Sequence, residues 1–352
     1  MSADMTKVLI IGTGHMAGHH AEAYARLDGC PVVAGVDTDR DRLDEFCDRY
    51  GIAERFTDIN RALAWNGFDA VSNVTPDAYH KSTSLPLIAA GKHVLCEKPL
   101  AQTYADANAM AEAADGAGVV NMINLTFRNR PVLHRARSLI EGGTIGAIRH
   151  VDAHYFQSWL VGNHWGDWRE EPRFLWRLST EHGSPGALGD IGIHVLDAVM
   201  FVTGLDVQSV HARLQTFPKA EGDRVGDYPL TANDSAALSL QFGGGALGMI
   251  QATRYATGYR NAVKVAVFGT EGALEARVGE GDDSLRVCSG DGMHNLEWET
   301  VDCPAVDTIH TRFVGAIRNG GSAEPDFRRG AALQRVLDRS FESAGRNAVM
   351  TL

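Results

Sequence analysis

The chain has 352 residues, of which 44% are hydrophobic and 22% charged, a balance that excludes disordered, collagenous and membrane-spanning classes. Its formal charge of -11 disfavours nucleic acid and anionic lipid as partners. The five cysteines, Cys30, Cys47, Cys96, Cys288 and Cys303, form no C-x-x-C pair for zinc or redox chemistry and suit reduced thiols in a cytosol.

A chain of this length outgrows one hydrophobic core, so two domains are expected, with the cleft between them as the default ligand site. The amino-terminal residues lack a basic segment followed by an apolar stretch, and no apolar run is long enough to cross a bilayer. A cytoplasmic protein with no membrane partner is expected.

In chain order, Val8-Leu9-Ile10-Ile11 reads as a buried parallel strand ended by glycine, and about His15 to Leu27 as a helix. Val32 to Val36 is a second strand, and Arg40 to Tyr50 has helical spacing of Leu43, Phe46 and Cys47. Strands over Ala70–Val74, His93–Cys96 and Val119–Ile123 then alternate with helices over Ser82–Ala90 and Tyr104–Ala117. Such alternation predicts an α/β class, with an amino-terminal Rossmann-type doubly wound parallel sheet over residues 1–124. From 125 to 352 the pattern becomes α+β, with a helix over Val132–Gly142 and alternating strands such as Ile148–Phe156 and Ser235–Phe242. These predict a mainly antiparallel sheet in a second domain. Residues 305–325 read as connective or helical, and 326–346 as a last helix that packs back on the first domain.

The loop Gly12-Thr13-Gly14-His15-Met16-Ala17 follows the first strand and opens a helix, the context that makes a G-x-G-x-x-A pattern informative. Gly12 allows the tight turn, Gly14 lets a pyrophosphate approach the backbone, and Ala17 keeps helix and strand close. Asp37, at the end of the second strand, can accept from adenosine ribose hydroxyls and would repel a 2′-phosphate, which favours NAD over NADP. Arg40 and Arg42 are the nearby guanidinium groups a 2′-phosphate would use. Asp37 could instead cap the following helix.

Cys96-Glu97-Lys98-Pro99 ends a parallel strand, where open α/β sheets place their ligands, so Lys98 is aimed at the cleft and Glu97 can pair with a cation. A second segment, Gly183 to Asp197, runs from glycines into a helix. There Asp190, His194 and Asp197 fall at i, i+4 and i+7 on one face, and Gly189 and Gly192 leave room for a flat ring. An Asp–His pair on that face can tune an imidazole for proton transfer. His150, Asp152 and His154 have a spacing a metal could use but read as the polar face of a strand, and no metal is expected. His19-His20 read as structural. Trp159, Trp165, Trp168 and Trp176 lie in an irregular stretch where stacking on a sugar competes with core packing.

Together these segments resemble the glucose-fructose oxidoreductase and inositol dehydrogenase family (Gfo/Idh/MocA) over essentially the whole chain. The resemblance rests on Gly12-x-Gly14-x-x-Ala17, Thr75-Pro76-Asp77-x-x-His80, Glu97-Lys98-Pro99 and Gly186-x-Leu188-x-Asp190-x-Gly192-x-His194-x-x-Asp197. It implies a large open sheet in the second domain, homodimers or homotetramers formed through that sheet, and bound NAD, with NADP less favoured. It also implies a catalytic set of Lys98, Asp190 and His194, in which Lys98 hydrogen-bonds the reacting oxygen, His194 takes its proton and Asp190 orients the site. Which of Lys98 and His194 accepts the proton is left open by their coupling. Cofactor residues implied are Gly12, Gly14, His15, Met16, Ala17, Asp37, Thr75, Pro76, His80, Glu97, Lys98, Asn124 and Arg177. Substrate contacts implied are Lys98, Gln157, Trp159, Trp176, Asp190 and His194.

The expected activity is hydride transfer between nicotinamide and a secondary alcohol of a sugar, an anhydrosugar such as levoglucosan, or a cyclic polyol such as an inositol. Two alternatives share the fold: a glycosidase that uses NAD transiently, and a non-catalytic NAD-dependent sugar sensor or corepressor.

Overall fold

A computed structural model describes residues 5–279, 281 and 283–352. The chain divides into two compact units, one running to Thr126 and including Asp307–Gln334, the other comprising Phe127–Val306 and Arg335–Leu352.

The first unit contains β1 (Val8–Ile11), α1 (His15–Ala25), β2 (Val32–Val36), α2 (Arg40–Tyr50), β3 (Glu54–Phe56) and α3 (Ile59–Trp65). It continues with β4 (Ala70–Asn73), α4 (His80–Ala89), β5 (His93–Cys96), α5 (Tyr104–Ala117) and β6 (Asn121–Ile123). All six strands are parallel, in the order β3-β2-β1-β4-β5-β6. Helices cover both faces of such a sheet, which is why β1, β4 and most of β5 are buried on both sides, with β1 wholly apolar. Strand order reverses between β1 and β4, and a doubly wound sheet binds its ligand at that switch point.

The second unit opens with α6 (Pro131–Glu141), β7 (Ile148–Phe156), a single turn α7 (Pro172–Leu175) and α8 (Ile193–Thr203). Strands β8 (Val207–Gln215), β9 (Arg224–Val225), β10 (Tyr228–Pro229), β11 (Ser235–Phe242) and β12 (Leu247–Thr253) follow. Next come β13 (Ala262–Gly269), β14 (Gly272–Val278), β15 (Ser284–Ser289), the turn α9 (Gly292–Asn295) and β16 (Glu299–Thr300). The chain then adds α10 (Ile309–Asn319) and the leading residues of α11 (Phe327–Arg346) to the first unit, and ends with β17 (Met350–Thr351). The segment read as connective or helical thus contains a helix, and Ile309, Phe313 and Val314 of α10 share a core with Val8, Tyr24, Leu95 and Met122.

Nine strands form the second sheet, in the order β16-β15-β14-β13-β7-β12-β11-β8-β17. Among the described residues of this sheet only β7 and β12 pair in parallel; the other neighbours are antiparallel. Along β11 and β12 burial alternates residue by residue, so one sheet face packs inward and the other is exposed. Every residue of α8 is buried, and this helix lies against β7, β13 and α6.

Asp197 of α8 is drawn inward by Arg128, which donates from Nε and Nη2 to its two carboxylate oxygens, 2.7 Å each. Both side chains are almost fully buried, at 2% and 1% exposure. The guanidinium also lies 3.8 Å from the centre of the Phe201 ring. Removing one member of such a pair strands the other charge, so Asp197→Asn is expected to destabilise the second unit by about 3 kcal/mol or more. Urea unfolding followed by circular dichroism checks this, and a loss under about 1 kcal/mol contradicts it.

Candidate functional site

In the first unit the glycine loop leaves β1 through Gly12, whose φ is +84°. A Cβ there would come within 2.7 Å of the Val74 carbonyl and the Thr75 amide, so only glycine fits. At Gly14, which opens α1, nothing lies within 4 Å of where a Cβ would be. Helices α2, α3 and α5 start at Asp39, Asp58 and Thr103, whose side chains accept from the first-turn amides. Helix α1 has no side-chain cap and no acidic residue in its first turn. Open space before uncapped N–H groups fits a pyrophosphate.

Asp37 is 8% exposed and is surrounded by donors. Oδ2 accepts from Thr13 N (2.8 Å), Thr13 Oγ1 (3.0 Å) and Arg42 Nε (3.1 Å), while Oδ1 accepts from Asp39 N (3.0 Å) and Arg42 Nη2 (2.8 Å). Burial works to raise its pKa, but these hydrogen bonds, led by Arg42, bring it down to about 2. The carboxylate therefore ties the loop after β1 to the end of β2. The α2 cap is Asp39.

The end of β5 is built from beneath. Glu97 Oε1 lies 2.9 Å from His20 Nε2 and accepts from Asn124 Nδ2 at 2.6 Å, and Oε2 accepts from Lys98 N at 3.1 Å. His20, on α1 and 0% exposed, also reaches Ser72 Oγ (3.1 Å) and His310 Nε2 (3.2 Å) through Nδ1. Burial pushes the Glu97 pKa up, but the His20 and Asn124 contacts outweigh it and hold the group at about 2. His80 is buried with Nδ1 2.8 Å from Pro99 O and Nε2 2.8 Å from Thr75 O, which clamps the Thr75–Pro76 turn to the segment after Lys98. Thr75 Oγ1 donates to Asn73 Oδ1 at 2.7 Å. Among the described residues Asn124 Oδ1 has no partner.

In the second unit, residues Leu188–Gly192 form a π-helical turn that leads into α8. Asp190 lies in this π turn whereas His194 and Asp197 lie on α8, so the spacing from Asp190 to His194 is not the regular 3.6-residue one. Asp190 meets Arg254 Nη2 at 3.0 Å and Arg177 Nε at 3.8 Å, whereas Asp197 pairs with Arg128. The glycines serve the turn itself rather than a flat ring. A Cβ on Gly189 would lie 2.3 Å from Pro185 Cβ, and one on Gly192 would lie 3.0 Å from Leu188 Cδ1. Gly186, at φ +69°, leaves room for Asn233, whose Oδ1 accepts from Leu188 N at 3.0 Å. His194 is 8% exposed, with the rings of Phe127 and Tyr155 edge-on at 5.2 and 6.3 Å.

Gln157 is buried, donating to Asn261 Oδ1 at 2.8 Å and accepting from Trp159 Nε1 at 3.0 Å. Trp159 is buried in a core with Phe174, Leu175 and Leu178. Trp176 is exposed, with the Arg177 guanidinium 4.6 Å from its ring centre. His150, Asp152 and His154 alternate along β7; no cluster of three His, Cys, Asp or Glu among the described residues is arranged to hold a metal ion. No helix among those residues is long and apolar enough to cross a membrane.

The first unit matches the oxidoreductase family with an NAD-binding Rossmann fold over residues 6–125, and the second matches the GFO/IDH/MocA C-terminal domain over residues 133–275. The chain belongs to the GFO/IDH/MocA oxidoreductase family. It is 27% identical over 384 aligned positions to levoglucosan dehydrogenase of Pseudarthrobacter phenanthrenivorans, covering 96% of each chain. The crystal structure of an oxidoreductase domain protein from Kribbella flavida superposes with a TM-score of 0.85 at 30% identity, covering 99% of both chains. A levoglucosan dehydrogenase in complex with NADH superposes with a TM-score of 0.86 at 27% identity, also over 99% of both. The family resemblance read from the sequence is thereby borne out, as are the fold class and NAD as cofactor.

The sequence reading missed Arg254 and His310 in this oxidoreductase. His310 lies 290 positions from His20 and Arg254 lies 64 from Asp190, distances over which no local pattern carries a signal.

Two outcomes follow from these geometries. Asp37→Ser removes the repelling carboxylate and releases Arg42, so the ratio of NADP to NAD affinity is expected to rise about tenfold or more, or about 1.4 kcal/mol. Fluorescence titration of both nucleotides measures it, and an unchanged ratio contradicts it. Burial, then the neighbouring His20, lowers the His310 pKa from 6.5 to about 3. The unfolded chain thus takes up a proton below about pH 6.5 that the folded chain refuses, so stability falls as pH drops from about 6.5 towards 5. Denaturant unfolding across that window should show a shallower pH slope for His310→Gln, and an equal slope argues against the buried neutral imidazole.

Proposed function

We propose that this oxidoreductase oxidises a secondary alcohol of a sugar, anhydrosugar or cyclic polyol, with NAD as its partner. The observation that carries the reading is Lys98, whose backbone is fixed by Glu97 at the carboxyl end of a parallel strand in an NAD-binding unit. Similarity to a levoglucosan dehydrogenase over 96% of both chains supports the substrate class.

Bound NAD supplies the hydride acceptor. The loop Gly12, Gly14, His15, Met16 and Ala17 receives its pyrophosphate, and Asp37 meets the adenosine ribose by exchanging one of its present donors. Thr75, Pro76, Asn124 and Arg177 complete the cofactor contacts, with His80 and Glu97 supporting them. Loss of hydride from an alcohol carbon requires its oxygen to lose a proton. Lys98 stabilises the negative charge that develops there, since a fixed cation costs no reorganisation at the moment of reaction. Either His194 takes the proton while Lys98 stays cationic, an imidazole being suited to that task near neutral pH, or Lys98 takes it as a neutral amine and the ammonium so formed carries the stabilising charge. Asp190 orients the group that does so. Trp176 has an exposed face that can stack on a sugar ring, and Gln157 and Trp159 are the other candidate sugar contacts.

Purified protein given NAD and a panel of sugars, anhydrosugars and inositols is expected to form NADH on a subset of them. Lys98→Met should lower kcat/KM for the responding substrate by about 10²-fold or more. A panel on which nicotinamide absorbance never changes contradicts the reading, and sugar release without net NADH replaces it with a glycosidase that uses NAD transiently.

A further inference from the structure

Arg254 directly follows β12 and is 0% exposed. Taking a guanidinium out of water costs several kcal/mol, and an apolar side chain of similar volume packed beside Trp159 would avoid that cost. Burial accordingly pushes its pKa down, with Asp190 acting in the opposite sense. What the charge gives in return is visible in its contacts. Nη2 donates to Asp190 Oδ2 and Nη1 to the Arg177 carbonyl, both at 3.0 Å, and the guanidinium carbon lies 5.1 Å from the centre of the Trp159 ring.

The neighbouring charges alternate from interior to surface. Lys219 and Asp234 pair at 2.8 Å with side-chain exposures of 2% and 0%. The Asp234 carbonyl accepts from Arg254 N at 3.1 Å. Beyond Arg254 come Asp190, 22% exposed, and Arg177, 36% exposed. Lys219 and the Phe217 amide, at 2.8 Å each, engage Oδ2 of Asp234, and the carboxylate that accepts a hydrogen bond from the buried guanidinium is Asp190. Asp190 sits on a π turn, and a π turn lacks the regular spacing that fixes side-chain direction along an α-helix. Arg254, from another element, meets that side chain.

We infer that Arg254 is a positioning residue for the reaction: it holds the Asp190 carboxylate from the interior side in one orientation and acts on turnover only through it. The inference rests on the role given to Asp190 above. A positioning residue of this kind changes the rate of the chemical step and leaves the nucleotide affinity of the first unit alone.

The test is a double-mutant cycle on the sugar that reduces NAD most rapidly, with Asp190→Asn, Arg254→Met and the pair measured for kcat and KM, and with NAD binding followed by fluorescence. Arg254→Met is expected to lower kcat about tenfold or more, with NAD affinity within about twofold of wild type. The double variant should be no slower than Asp190→Asn alone, because the two act as one unit. Arg254→Lys, which keeps the charge and loses the fork, should recover part of the loss, and it replaces Arg254→Met in the cycle if the latter does not fold. Losses that multiply in the double variant, or an Arg254→Met enzyme with wild-type kcat beside an impaired Asp190→Asn, overturn this inference alone. An Asp190→Asn enzyme with wild-type turnover overturns the role of Asp190 and this inference with it.

Discussion

A charge removed from water must meet an opposite charge or a set of hydrogen-bond donors, and the segments of this protein that bear the family's sequence motifs are fixed by that requirement. Glu97 fixes the end of β5 because His20 and Asn124 bind one of its oxygens and the Lys98 amide the other. Asp37 fixes the glycine loop because Thr13 and Arg42 converge on it. In the second unit Asp197 and Arg128 lock α8 from inside, and Arg254 meets Asp190 on the turn that precedes it. Glu97–His20, Asp37–Thr13, Asp197–Arg128 and Asp190–Arg254 join residues distant in sequence, so a loop that would otherwise wander is tied to an element with a packed core.

Hydrogen bonding within the protein distinguishes motif residues whose polar groups are already engaged from one whose partner is able to move. His80 belongs to a sequence motif that the family resemblance links with the cofactor, yet both its ring nitrogens are engaged by the carbonyls of Thr75 and Pro99. Gln157 and Trp159 are likewise engaged with each other and with Asn261, Phe174 and Arg254. Asp37 differs from them, since one of its donors, the half-exposed Arg42, is a flexible side chain able to yield to ribose hydroxyls.

Much of the first unit was legible because a parallel sheet covered on both faces writes itself as short apolar runs separated by helical spacing. The β1 run, Gly12, Gly14 and Asp37 could be placed from local order alone, and Lys98 from its position after β5. The π turn at Leu188–Gly192 was not legible, because periodicity was counted on 3.6 residues and a wider turn leaves no mark in the pattern. The reason for Gly189 was misread for a related cause: the space it leaves is filled by Pro185, a contact made by the fold of the turn. Arg254 and His310 were invisible since buried ion pairs and histidine pairs form across tens to hundreds of residues. The membership of α10 in the first unit is non-local in the same way, resting on Ile309 and Phe313 meeting Val8 and Leu95.

If Lys98 and its partners serve alcohol oxidation, the hydrogen lost from the sugar carbon must appear on the nicotinamide ring. A substrate carrying deuterium on its carbon atoms, turned over with NAD in ordinary water, tests this most directly by mass spectrometry of the recovered cofactor. The account predicts NADH that carries one deuterium derived from the sugar. Recovered NAD that is unreduced and unlabelled, from a sample in which the sugar has been consumed, would contradict it.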